Sequence, residues 1–310
     1  MASSSLPDAP PAASSTATST TTPTTTDLTV IPTNPQKKIS LDGKIIAITG
    51  ANRGIGLGIA DCCLANGATA VYSLDISGVV PDTGNNSNNN NNNNNNNKTN
   101  NDFEAVAARY PGQLHALTAD VTREDELTRA IDEIIAREGR IDGVVANAGR
   151  TMHKPALEFT AADIEGLWGV NLYGSFYAAR VAARAFIRLG IAGSVVFTAS
   201  MASHRPNKRV PSAPYGASKA GIRNMTKTLA LEWSQYNIRV NSVSPGLVKT
   251  AMTSWVSRQP DWATQLHYYG GLPRLASVEE VGSAYVYLLS GAAGYVTGVD
   301  VQVNGGIGIC

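Results

Sequence analysis

What this chain has little of narrows its function first. Only three cysteines occur in 310 residues, and Cys62 and Cys63 are neighbours while Cys310 ends the chain. No disulfide framework and no metal-ligand spacing can be built from them, and a reducing compartment is the default. The four histidines, His115, His153, His204 and His267, are scattered, so no metal is expected. An excess of one charge is also missing: 25 basic residues face 24 acidic ones, leaving a formal net charge of +1. Without a basic stripe there is nothing to hold a nucleic acid or an anionic membrane. No window of 18 apolar residues occurs, and the start M-A-S-S-S-L-P lacks a signal-peptide core. The expectation is a soluble, cytoplasmic protein whose partner is a small neutral or polar molecule.

Apolar residues make up 43% of the chain, enough for a full core. Residues 1–38 fall outside it, being rich in Ser, Thr, Pro and Ala; they are expected to be a disordered tail. The absence of Arg there argues against a transit peptide. A second anomaly covers 78–101, where ten consecutive Asn occur. With no apolar face this tract is expected to be a disordered insertion in a loop. Everything else from 39 to 310 alternates between short apolar runs and amphipathic stretches. Strand-like runs lie at 44–49, 69–74, 114–119, 141–146, 194–199, 238–243 and 298–304, with helical patterns between them, including one long helix from Thr160 to Leu189. Such alternation predicts a single α/β domain, doubly wound, with a seven-stranded parallel sheet and right-handed crossovers.

The first run, K-I-I-A-I-T, leads straight into G-A-N-R-G-I-G-L-G. A glycine turn between a strand and a helix lets the backbone approach a pyrophosphate and aims the helix's free N–H groups at its charge. Gly50, Arg53, Ile55 and Gly56 are the candidate contacts. The second run ends in Asp75, 19 residues beyond Gly56, where a carboxylate accepts from adenosine ribose hydroxyls. That favours NAD(H). A turn-forming Asp is the alternative reading, and Arg53 keeps NADP(H) open because it can reach a 2′-phosphate. Asp120 and Val121 end the third strand, where an adenine would lie. Asn147, Ala148 and Gly149 end the fourth, and Pro245, Val248 and Thr250 follow the sixth.

A different chemistry is encoded in S-A-P-Y-G-A-S-K. Pro214 suits the first turn of a helix, and Tyr215 and Lys219, four apart, then share a face. A phenol with a pKa near ~10 is a poor proton donor or acceptor at neutral pH. An ammonium group beside it favours the phenolate and suits it to acid–base catalysis.

Taken together, T-G-A-N-R-G-I-G, N-A-G, N-L-Y-G, Ser200, Y-G-A-S-K and S-P-G-L-V-K-T resemble the short-chain dehydrogenase/reductase superfamily, whose domain is of the Rossmann type. S-M-A-S with A-P-Y-G-A-S-K is similar to its polyol and ketose reductase branch. The resemblance implies a catalytic tetrad of Asn171, Ser200, Tyr215 and Lys219, and hydride transfer between a nicotinamide cofactor and a secondary alcohol or ketone. It gives Tyr215 the proton transfer and Ser200 the substrate oxygen. Lys219 takes the nicotinamide ribose and lowers the phenol's pKa, and Asn171 a water leading to Lys219. Ser200 lies 15 residues before Tyr215, two more than the usual family spacing, so Ser203 is a rival. The substrate lid would lie beyond Thr250, with Trp255, Trp262, Tyr268 and Tyr269 as walls and Gly270-Gly271 as hinge; core or oligomer contacts are the alternative. Residues 150–153 and 201–205 would complete the pocket. A homotetramer is implied, packed through the helices around 160–189 and 214–236. Two other readings stay open: a tailoring ketoreductase of secondary metabolism, and a dinucleotide-binding regulator without turnover.

Overall fold

The computed structural model describes residues 39–78, 94–206, 211–254, 256–269 and 271–307, so the tail at 1–38 and the insertion up to residue 93 lie outside the described residues. In chain order the elements are β1 (Ile45–Thr49), α1 (Gly54–Ala65), β2 (Ala70–Asp75), α2 (Asn94–Arg109), β3 (Leu114–Thr118), α3 (Glu124–Glu138), β4 (Gly143–Ala146) and α4 (Ala161–Trp168). They continue with α5 (Ser175–Leu189), β5 (Ser194–Thr198), α6 (Ala213–Trp233), β6 (Arg239–Pro245), α7 (Trp262–Tyr269), α8 (Val278–Leu289) and β7 (Asp300–Val303).

All seven strands form one parallel sheet in the order β3-β2-β1-β4-β5-β6-β7. The residue alternation explains why both faces are covered. Ile45 and Ala47 of β1 join Tyr72, Val144, Val195 and Phe197 under residues of α3, α5 and α6. Ile46 and Ile48 join Val71, Val145, Val196 and Val243 under α1 and α8. Successive strand side chains point to opposite faces, so a continuous apolar run such as I-I-A-I feeds two cores at once. Strand order reverses between β1 and β4, and in open α/β sheets such a switch point opens a crevice at the strands' carboxyl ends. Thr49, Gly50 and Asn147 lie there.

Two elements depart from the sequence expectation. Helix α2 begins at Asn94, inside the span expected to be loop. Phe103 and Val106 are buried in the core and fix the helix, and extending a formed helix needs no new nucleus even through weak helix formers. The long helix expected over 160–189 is instead α4, a π-helical turn at Gly169–Gly174, and α5. Among the described residues no helix is long and apolar enough to cross a membrane.

Candidate active site

The glycine turn after β1 takes conformations that side chains resist. Gly50 has φ +67°, and a Cβ there would lie 2.9 Å from the Ala148 Cα. At Gly56 a Cβ would lie 2.3 Å from the Gly50 carbonyl oxygen. The next helix is left open at its positive end: Arg53, the N-cap of α1, makes no side-chain cap, and the first turn holds no acid. A backbone cradle with uncapped N–H groups fits an anionic pyrophosphate. Gly56→Ala is therefore expected to lower dinucleotide affinity more than tenfold and to cost roughly 1–3 kcal/mol of stability through overpacking; fluorescence titration and thermal unfolding would measure both, and wild-type affinity in a folded variant would refute the cradle.

The rim of this crevice is held by threonines. Thr49 Oγ1 accepts from the backbone N–H groups of Asn147 (3.0 Å) and Ala148 (2.9 Å). Asn147 Nδ2 donates back to the carbonyls of Thr49 (3.0 Å) and Gly50 (3.2 Å), and its Oδ1 accepts from Thr198 Oγ1 (3.2 Å). The Asn147 side chain thus ties β1, β4 and β5 together. Neither threonine was singled out in the sequence, although Thr49 opens the glycine motif and Thr198 closes the strand two residues before Ser200.

Around the rest of the crevice the candidates differ in what they leave free. Arg53 is exposed and Ile55 partly buried beside it. Asp75 Oδ1 accepts from the Ser77 N–H (3.1 Å) and Oγ (2.9 Å), and Oδ2 from the Asn52 N–H (3.4 Å), so this carboxylate also shapes its own turn. Asp120 likewise accepts from Thr122 N–H and Oγ1, just before α3, whose N-cap is Arg123. Val121 is buried, as is Val248 at 1% exposure, so Val248 can offer a cofactor only its backbone. Pro245 closes β6, and Thr250, partly buried, caps the turn at 251–253. In the lid region Trp262 starts α7 and Tyr268 is exposed, whereas Trp255, the Tyr269 side chain and Gly270 lie outside the described residues.

Tyr215 and Lys219 occupy the first two turns of α6, whose Pro214 sits at the helix start. The Ser200 hydroxyl lies close enough to the Tyr215 phenol to pull its pKa down. Ser203 points elsewhere, its Oγ donating to the Ser200 carbonyl at 2.6 Å. Of the two serines, Ser200 is the one the fold brings to the phenol. Lys219 is buried, and its Nζ donates to the Thr198 carbonyl at 2.7 Å. Burial pushes its pKa down to about 8. The Tyr215 phenol is raised above its ordinary value by desolvation, with the Ser200 hydrogen bond opposing. This departs from the expectation that Lys219 lowers the phenol: the ammonium is engaged by the Thr198 carbonyl, and desolvation dominates at Tyr215.

Asn171 lies in the π-helical turn, fully buried. Its Oδ1 accepts from the Arg150 N–H and its Nδ2 donates to the Arg150 carbonyl, both at 2.9 Å. The extra residue of a π turn re-aims a side chain, and such turns concentrate at functional sites. Here it clamps the loop after β4. A Cβ at Gly149 would lie 3.5 Å from Asn171 Oδ1 and 3.6 Å from Lys219 Nζ, so both polar ends approach one point of the backbone. The neighbouring loop is braced on α6 as well: Trp168 Nε1 donates to the Pro214 carbonyl (2.9 Å), and Ser212 Oγ donates to the Met152 carbonyl.

The chain is similar to several known proteins. A family model described as Enoyl-(Acyl carrier protein) reductase matches residues 92–308. The short chain dehydrogenases/reductase notP' of Aspergillus versicolor is 33% identical, over 86% of this chain and 87% of its own length. The NADP-dependent mannitol dehydrogenase of Hypocrea jecorina is 30% identical, over 86% and 93%. The crystal structure of a gluconate 5-dehydrogenase from Burkholderia cenocepacia with NADP and tartrate superimposes with a TM-score of 0.75 at 28% identity, covering 88% of this chain and 98% of that one.

Proposed function

The chain belongs to the short-chain dehydrogenase/reductase family, and on that premise we propose that it interconverts a sugar alcohol and the corresponding ketose. As a family member it is an oxidoreductase acting on CH–OH groups with a nicotinamide cofactor. The observation that carries the catalytic reading is that Ser200, whose hydroxyl acts on the Tyr215 phenol, and the buried Lys219 ammonium, bonded to the Thr198 carbonyl, meet at the carboxyl end of β5.

Gly50, Gly56, Asp75, Val121 and the backbone of Asn147 would hold the dinucleotide, and Lys219 its nicotinamide ribose. When bound, the nicotinamide supplies the hydride in reduction and accepts it in oxidation. Tyr215 donates its phenolic proton to the carbonyl oxygen as negative charge develops there, and recovers it from the alcohol in the reverse direction. A phenol kept high in pKa by desolvation holds its proton until that charge appears. Ser200 donates a hydrogen bond to the same oxygen and fixes its position. Asn171 keeps the loop after β4 against the site.

For the cofactor, Asp75 at the end of β2 supports a preference for NAD(H), against which stand the exposed Arg53 and the NADP named with two of the relatives. Asp75→Ala should weaken NAD binding more than NADP binding, by several-fold in the ratio of dissociation constants; an unchanged ratio means that another residue discriminates. Polyol or ketose chemistry is supported by the mannitol dehydrogenase likeness. Following cofactor absorbance with ketoses, polyols and bulky aromatic ketones tests it, and turnover confined to aromatic ketones would overturn it.

We further propose that 39–310 is the catalytic domain, in the cytoplasm, assembled as a homotetramer through the π turn and helices α5 and α6. Exposed apolar residues on those segments, among them Tyr173, Ile187 and Leu231, support that surface.

A further inference from the structure

Asp300 opens β7, far from the catalytic residues in sequence, yet its carboxylate gathers four elements. Oδ1 accepts from Ser242 Oγ (2.6 Å) and Ser244 Oγ (2.9 Å) of β6, and Oδ2 accepts from Ser244 Oγ (2.9 Å). Oδ2 also lies 2.7 Å from His204 Nε2 and forms an ion pair with Arg223 of α6 at 3.4 Å. An ionised carboxylate only accepts, so the His204 proton facing it sits on Nε2. The three side chains are mostly buried, Asp300 at 10% exposure and His204 at 15%.

This cluster is wired to the serine. His204 directly follows the turn at Met201–Ser203, its N–H donating to the Met201 carbonyl at 3.0 Å. Arg223 Nη1 donates to the Ser203 carbonyl at 3.0 Å, and Ser203 Oγ donates to the Ser200 carbonyl at 2.6 Å. Ser200 Oγ accepts from the Ala202 N–H at 3.1 Å, and the same hydroxyl is the one that acts on the Tyr215 phenol. The short turn is thus tied both to its own backbone and, through His204 and Arg223, to Asp300.

We propose that Asp300, His204 and Arg223 are positioning residues that hold the Ser200 turn, and with it the Ser200 hydroxyl, in register with Tyr215. The inference rests on the reading of Ser200 as the residue that orients the substrate oxygen. Sub-ångström placement of such a donor governs transition-state stabilisation, so loosening its support acts on turnover before it acts on binding. His204 is the member to change, because removing Asp300 would orphan two serines and take the ion-pair partner from Arg223 together.

His204→Ala is expected to lower kcat about tenfold, with cofactor Kd unchanged by fluorescence titration, and His204→Gln, which keeps an N–H donor at similar reach, to restore most of it. In a Ser200→Ala background the His204→Ala change should have little further effect on kcat, because the group it positions is gone. Unchanged kcat in His204→Ala, a full tenfold loss again in the Ser200→Ala background, or no rescue by Gln would each overturn the proposal. If Ser200→Ala itself leaves kcat intact, it is the reading of the serine that fails.

Discussion

Tyr215→Phe is expected to lower kcat by roughly 10²–10⁴-fold, the range that a positioned general acid or base contributes. Among the described residues, neither of its two polar neighbours in the proposed tetrad can take its place. The Ser200 hydroxyl has an ordinary alcohol's weak acidity, and the Lys219 ammonium, itself buried, donates to the Thr198 carbonyl. Phe keeps the ring, so α6 should stay folded and cofactor affinity should remain within about twofold, a single hydroxyl being the only group lost. Single-turnover absorbance of the nicotinamide and fluorescence titration separate the two effects. A Phe variant within tenfold of wild-type turnover would remove the phenol from the reaction.

Lys219→Met is expected to move activity and stability in opposite directions. Turnover should fall by at least 10²-fold, because the variant loses the group read as holding the nicotinamide ribose. Stability should rise. The Lys219 pKa of about 8 lies below the ordinary lysine value, so the folded state sheds this proton before the unfolded chain does. At pH 7 both states carry the proton, and burying it costs about 3 kcal/mol, since each tenfold loss of proton affinity is worth ~1.4 kcal/mol. Between pH 8 and about 10.5 the unfolded chain binds more protons, and wild-type stability rises with pH relative to the Met variant. Urea unfolding of both proteins at pH 7 and pH 10 should give a Met variant that leads at pH 7 and loses most of that lead at pH 10. An equal gap at both pH values would mean that the ammonium is solvated. Active-site residues that are costly to the fold are the expected trade-off between stability and function.

Much of this fold could be read from residue order. I-I-A-I and V-V-F-T are continuous apolar runs that only a sheet covered on both faces can use, and their alternation with helical stretches fixes parallel strands and crossovers. The glycine turn was legible for the same reason: Gly50 and Gly56 stand where any Cβ would strike Ala148 or the turn itself. The start of α2 was not, because composition reports what a tract prefers in isolation while Phe103 and Val106 anchor a helix that runs back through it. Nor was the π turn: an extra residue in a helix leaves no mark in a 3.6-residue pattern, and only the Asn171 clamp on Arg150 reveals its use.

By itself the sequence determined the class of fold, the tight glycine turn after β1 and the spacing that puts Tyr215 and Lys219 on one helix, since each depends on neighbours within a few residues. Tertiary structure alone decided that Ser200 and not Ser203 meets the phenol, that desolvation raises the Tyr215 pKa, and that Asp300 reaches His204 across 96 positions. Those outcomes depend on burial and on which strand ends converge, and both arise only when the sheet has closed its order.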